Sequence, residues 1–264
     1  MPSGYGTDRG VRGVTYNDRV IKTRGAAWLE PTGGIVLFDD FLGDTLNTNT
    51  WVATETATGV AWAVSSTAGD PVAAHGGWVS AQTDNVDAAA EELACMAATT
   101  VGNFRPDRAG NGLLVFEARV SIPTALTARF FNVGLTDDET EGAALAMSIT
   151  TATWTTTATD AALWVFDSTA TDNDNWLGQT VDSGSDGTHI ASTVATAADT
   201  AQVLRIEIDS AGGCYFYEGG AFMGVETAIG VTETVPLIPY VAAGSTATTA
   251  VDFECDYVYT ACAR

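Results

Sequence analysis

The chain has 264 residues, 46% of them hydrophobic, which is enough for a packed core and excludes general disorder. Its formal net charge of −22 excludes binding of nucleic acid or of an anionic membrane surface through the main body. No apolar stretch approaches a membrane span and Met1-Pro2-Ser3-Gly4-Tyr5 opens no signal peptide, so the expectation is a product folded in the cytoplasm of its producing cell. Thr, Ala, Gly, Val and Asp dominate, which favours strands and turns over helices. The length suits one large all-β domain plus an arm, or two small domains.

Residues 1–24 carry Arg9, Arg12, Arg19, Lys22 and Arg24 against only Asp8 and Asp18, a net +3. The total of −22 then leaves −25 for the other 240 residues, and Lys22 is the only lysine. Glycines at 4, 6, 10 and 13 interrupt any helical period, so the segment reads as an extended arm. It is either a solvated tail or a docking strap, laid on an acidic partner or back over its own acidic body; the lopsided charge favours the strap. Ordering an arm costs about 1–2 kcal/mol per residue, so cations alone would not hold it. Tyr16 and Trp28, with Val11, Val14, Val20 and Ile21, are therefore expected as apolar anchors. Trp28 equally suits a cap on the domain end. Pro31 and Gly33-Gly34 punctuate a hinge, dividing an arm over residues 1–34 from a main domain over 35–264.

Phe38, Phe41, Leu46 and Trp51 fit a first strand and its return, while Val60 to Val64 and Gly77-Trp78-Val79 are short strands. Residues 88–96 (AAAEELACM) form the best local helix candidate. Residues 112–120 read clearly as a strand, with Leu114, Phe116 and Ala118 on one face and Glu117 and Arg119 on the other. Residues 129–135 make another. The threonine-rich stretch 148–159 suits half-exposed strands, and Leu163-Trp164-Val165-Phe166 a buried one. Residues 171–175 and 182–187 are loops.

The last third reads as a meander. Leu204, Ile206 and Ile208 alternate with Arg205, Glu207 and Asp209; Ser210-Ala211-Gly212-Gly213 turns into Cys214-Tyr215-Phe216-Tyr217; Glu218-Gly219-Gly220 reverses the chain again. Leu237 to Val241 reads as an edge or irregular strand, because Pro239 removes a ladder donor. The final strand sets Val251, Phe253, Cys255, Tyr257 and Tyr259 on one face and Asp252, Glu254 and Asp256 on the other. Cys95, Cys214, Cys255 and Cys262 show no CxxC spacing, so free buried thiols are expected over disulfides or a metal site.

The strings VLRIEIDSAGGCYFYEGGAFMGVET, VPLIPYVAA and VDFECDYVYT resemble the C-terminal half of concanavalin A-like jelly rolls of the laminin G or glucanase type. Phe38-Asp39-Asp40-Phe41, Trp51 and Asn132 to Asp138 fit the same group, over roughly residues 35–260, and the resemblance implies core aromatics in the first strand and its return, Phe38 among them. Tailed-phage virion proteins with this domain are similar in having a short N-terminal extension. The resemblance implies an all-β concanavalin-like jelly-roll β-sandwich with an extended N-terminal arm, in which residues 88–96 would be a strand. It also implies a structural virion protein, above all a capsid decoration or cement protein. Its partner would be the major capsid protein or another shell protein, it would be a homo-oligomer, and it would assemble in the host cytoplasm.

Asp252, Glu254 and Asp256 share a strand face, but the order D-x-E-x-D differs from the E-x-D-x-E of glucanases of this fold, and no other paired set stands out. His75 and His189 lie in no nucleophile context. The chain is therefore expected not to be an enzyme. Asp137 to Glu141 and Asp172-Asn173-Asp174 suit either calcium or plain turn chemistry; no other cofactor is expected. The alternative to capsid decoration is a glycan-binding, lectin-like module of a fibre, and a third reading is a divergent glycanase. For glycan binding, Trp154 and Trp176 are the candidates, since both lie among polar residues.

Overall fold

The computed structural model describes residues 34–42, 46–47, 50–55, 60–64, 77–83, 90–95, 104–109, 113–123, 126–137, 145–171, 175–246 and 252–263. In chain order the strands begin with β1 (Gly34–Asp39), β2 (Trp51–Glu55), β3 (Val60–Val64), β4 (Val79–Gln82) and β5 (Ala90–Cys95). They continue with β6 (Leu114–Ser121), β7 (Arg129–Thr136), β8 (Met147–Thr150), β9 (Thr153–Thr156), β10 (Ala161–Asp167), β11 (Asn175–Asp182) and β12 (Ser185–Asp186). The last six are β13 (Ile190–Ala195), β14 (Gln202–Ile208), β15 (Cys214–Glu218), β16 (Ala221–Glu226), β17 (Ile238–Ser245) and β18 (Asp252–Ala263).

Two antiparallel sheets face each other. The first runs β16-β15-β14-β6-β18-β4-β3, with β1 alongside the C-terminal half of β18. The second runs β12-β11-β10-β7-β17-β5-β2, with β13 also on β11. Between them the inward residues of both sheets interdigitate: Phe116, Phe131, Trp164, Trp176, Phe216 and Phe253 are fully buried. Phe131 stacks on Phe253 with centroids 4.4 Å apart, and Trp164 meets Phe216 edge-on at 5.2 Å. The hairpin β8–β9 lies against the outward face of the second sheet. There Leu145, Met147, Ile149 and the half-buried Trp154 pack on Leu163, Val165, Leu177, Tyr240 and Ala242. Hence β7, β10 and β17 are covered on both sides and are buried along their whole length rather than at alternate positions.

Four expectations are corrected. Residues 90–95 are strand β5, paired with β2 and β17, not a helix; the sheet partners override local propensity. The strand containing Pro239 is central, between β7 and β5. Proline is tolerated because the β5 ladder begins only at Tyr240, so the missing N–H falls beyond it. Phe38 is not core: Phe41 and Trp51 are buried with centroids 5.7 Å apart, whereas Phe38 points outward and is exposed. Finally, β18 does not keep one phase. A bulge between Cys255 and Tyr257 leaves Asp256 as the extra residue. Before it Phe253 and Cys255 point into the core; after it Val258 and Cys262 do, and Tyr257, Tyr259 and Ala261 are turned outward.

Candidate functional site

The outward face of the first sheet is set by the alternation that fills the core. With Leu114, Phe116, Ala118 and Val120 inward, β6 turns Glu117 and Arg119 out; with Leu204, Ile206 and Ile208 inward, β14 turns Arg205 and Glu207 out. Strand β15 adds Tyr215 and Tyr217. Gly219 and Gly220, both at positive φ (58° and 84°), make the two-residue turn that sets Phe222 opposite Tyr217, ring centroids 5.4 Å apart. The bulge in β18 contributes Tyr257 and Tyr259. Tyr217, Arg205, Glu117 and Tyr259 thus line up across four strands.

Arg205 is the hub. Its Nε and Nη2 donate to Glu207 Oε1 at 3.0 and 2.7 Å, and its Nη1 donates to Glu117 Oε2 at 3.3 Å. The second oxygens of the carboxylates accept from phenols: Tyr217 donates to Glu207 Oε2 at 3.2 Å and Tyr257 to Glu117 Oε1 at 2.7 Å. Tyr215 donates likewise to Asp209 at 3.2 Å. Glu117, Arg205 and Glu207 are buried, so each charge depends on the others for the solvation it has lost. Burial, and next the adjacent Glu117 carboxylate, pushes the Tyr257 phenol far up; burial also raises Tyr259, against the opposing pull of Arg205. Both phenols stay protonated at neutral pH. At the border of the face Arg119 donates to Asp256 at 2.5 Å, and its guanidinium lies 5.3 Å from the Trp78 ring centroid. The result is a patch of aromatic rings whose hydroxyls are held by charge-assisted bonds, a fixed surface that is both apolar and rich in acceptors.

The residues singled out in the sequence land in different places. Arg9, Arg12, Tyr16, Arg19, Lys22, Arg24 and Trp28 lie outside the described residues, as do His75, Asp138 to Glu141 and Asp172 to Asp174. Trp154 stands half-buried on the β8–β9 hairpin, its ring 5.9 Å from that of the exposed His189, on the opposite side of the sandwich from the phenol patch. Trp176 is not an exposed aromatic. It is wholly buried in the core, because β11 is an interior strand and turns that position inward. Its indole N–H donates to Gln202 at 3.0 Å; Gln202 donates in turn to Glu218 at 2.7 Å, and Ser192 also donates to Glu218. Asp252 accepts from Gln82 at 2.5 Å, so Asp252 and Asp256 serve cross-strand contacts. Among the described residues no group of three His, Cys, Asp or Glu is placed to hold a metal ion. Cys214, Cys255 and Cys262 are free and buried, and burial raises each thiol. Sequence reasoning found the Arg205–Glu207 face but missed Tyr217, Phe222 and Tyr257. Only the pairing of β15 with β14 and the bulge in β18 bring those rings to it.

No protein-family model matches the sequence, and no curated protein matches it. Solved structures do match. The carbohydrate recognition domain of Emp47p superposes with a TM-score of 0.58 at 9% identity, over 89% of this chain and 99% of that one. The β-glucanase of Bacillus licheniformis gives 0.52 at 10% identity, over 88% of this chain and 99% of that one. The fold is the concanavalin-like jelly roll. A protein of unknown function from Shewanella oneidensis MR-1 shares it, with a TM-score of 0.57 at 12% identity over 100% of this chain and 97% of that one.

These neighbours correct one expectation and leave another without support. The chain was expected not to be an enzyme, yet its fold is shared with glycoside hydrolases such as that β-glucanase, so the architecture does not set it apart from them. Glu117 and Glu207, on neighbouring strands, are both tied to Arg205 in a buried ion-pair network. For a virion origin, the neighbours named here offer nothing.

Proposed function

We propose that the chain binds carbohydrate on the outward face of its first sheet, through the rings of Tyr215, Tyr217, Phe222 and Tyr257. The observation that carries this reading is the cluster itself: four aromatic rings on one sheet face, three of their hydroxyls fixed by buried or half-buried carboxylates. A pyranose has an apolar face that stacks on such rings and equatorial hydroxyls that meet fixed donors and acceptors. The likeness to a carbohydrate recognition domain supports it, and no comparable support exists for capsid decoration through residues 1–34.

A glycan array of neutral and charged oligosaccharides, followed by calorimetric titration of the best ligand, tests the proposal. Aromatic contacts contribute about 0.5–1.5 kcal/mol each, so Phe222→Ala and Tyr217→Ala should each weaken binding about 2- to 12-fold. Trp154→Ala, on the opposite side, should leave affinity unchanged. No binding to any glycan, or binding lost in Trp154→Ala and kept in the other two variants, would overturn it. Release of reducing ends from the bound glycan would add turnover to binding.

A further inference from the structure

We infer that residues 1–33 dock as an extended strap across this same outward face of the first sheet. The two outward faces of the sandwich differ. That of the second sheet is filled by the β8–β9 hairpin, whereas no described strand is stacked on that of the first. The described chain begins at Gly34, which pairs with Ala263 at the C-terminal end of β18, two residues beyond the row Val36, Ala261, Val115 and Glu207 that crosses this face. The face carries Glu117, Glu207, Asp209, Asp252, Glu254 and Asp256 against Arg119 and Arg205, a net −4. Residues 1–24 carry a net +3. The apolar side matches as well: Val36, Phe38, Phe222 and Val225 stand 48%, 38%, 55% and 42% exposed around the phenols. The arm holds Val11, Val14, Tyr16, Val20, Ile21 and Trp28 to cover them.

Reach is not limiting. Thirty-three residues span up to roughly 110 Å when extended, while seven strands at about 4.8 Å spacing make a sheet of order 30 Å across. The five cations are spread along the arm rather than clustered, as a strap crossing several strands requires. A strap in this position would compete with a glycan for the phenols. It nonetheless stands apart from the glycan reading, because its test contains no sugar.

Lys22 makes the test specific. It is the only lysine, so zero-length carbodiimide coupling followed by peptide mass spectrometry reports where one known arm residue lies. A mixture of unlabelled and 15N-labelled full chain separates links within a copy from links between copies. The expected product joins Lys22, within one copy, to a carboxylate of the face, foremost Glu254, Asp256 or Asp209. Its yield should fall about fivefold or more when salt rises from about 0.05 M to about 0.5 M, because the Debye length shortens from more than 10 Å to about 4 Å. It should fall comparably in the full-length variant Arg12→Glu/Arg19→Glu/Arg24→Glu, which keeps Lys22. Links only to carboxylates elsewhere, such as Asp182, Asp186 or Asp199, would overturn the inference. So would links only between copies, or no Lys22 link at all.

Discussion

Arg205 holds two carboxylates on an otherwise aromatic face, and its removal would strand both. Breaking a buried pair costs about 3–5 kcal/mol, because the remaining charge keeps its desolvation without its partner. In Arg205→Met, therefore, the melting temperature should fall by roughly 6–20 °C, at about 2–4 °C per kcal/mol for a chain of this size. A fall under about 2 °C would show that Glu117 and Glu207 are solvated well enough to stand alone. Two other glutamates, in one hairpin, make a pair of opposite sign. Burial raises Glu218, against the hydrogen bonds from Ser192 and Gln202. Burial works to raise Glu226 too, but the backbone N–H groups of Ile229, Ala228 and Thr188 prevail and hold it low. Glu218 thus disfavours the folded state once pH climbs above the ordinary value of 4.5 and it must ionise. Glu226 favours folding above 4.5 and loses that contribution as pH falls below it. Denaturation at pH 7 should accordingly find Glu218→Gln more stable than the parent. Glu226→Gln should be less stable by about 1–3 kcal/mol, given charge-assisted bonds of that order. Both differences should shrink towards pH 3.5. Gaps of the same sign at pH 7, or gaps independent of pH, would refute the assignment.

The single extra residue in β18 decides what that strand displays. Asp256 takes the bulge position, and everything after it changes face. Deleting Asp256 should restore one phase, drive Tyr257 and Tyr259 towards the core and turn Val258 and Cys262 out. A slip of this kind moves a whole apolar set to solvent, so the variant should either fail to fold or lose the Tyr257–Glu117 contact. Near-ultraviolet circular dichroism and thiol labelling of native protein would detect it, with Cys262 becoming reactive; unchanged spectra and a protected Cys262 would show that the bulge merely relocates. This same element marks where the sequence stops being legible. Alternation placed Glu117, Arg119, Arg205 and Glu207 correctly, since β6 and β14 have one strictly periodic face each. It misplaced Tyr257 and Tyr259, because a bulge leaves no mark in composition. It also gave Pro239 an edge, because the length of the β5 ladder beside it is a property of the partner strand. Trp176 read as exposed because its neighbours in sequence are polar, while its neighbours on the inner face of its own sheet are Phe131 and Phe166.

At the scale of the whole molecule two electrostatic effects oppose each other. A net charge of −22 makes the folded chain repel itself, and that repulsion is long-ranged at low salt. Against it stand local pairs. The Arg205 triad is buried and little screened, whereas Arg119–Asp256 and Arg105–Asp107 are partly exposed. Each exposed pair contributes about 0.2–1 kcal/mol, and screening removes at most that. Raising salt from about 0.01 M to about 0.15 M shortens the Debye length from about 30 Å to about 8 Å, which removes most of the repulsion between charges on opposite sides of the sandwich. Repulsion among so many like charges outweighs the surface pairs found among the described residues, so the melting temperature should rise with salt over this range. Acidification from pH 7 towards the pI of about 4.1 acts in the same direction, because it removes negative charge and relieves Glu218, Asp137 and Asp167, all three raised by burial. Scanning calorimetry across salt at fixed pH, and then across pH at fixed salt, isolates the two. A melting temperature that falls with salt would mean that ion pairs, not self-repulsion, dominate the balance. The net charge would then serve solubility or partner choice at little cost to the fold.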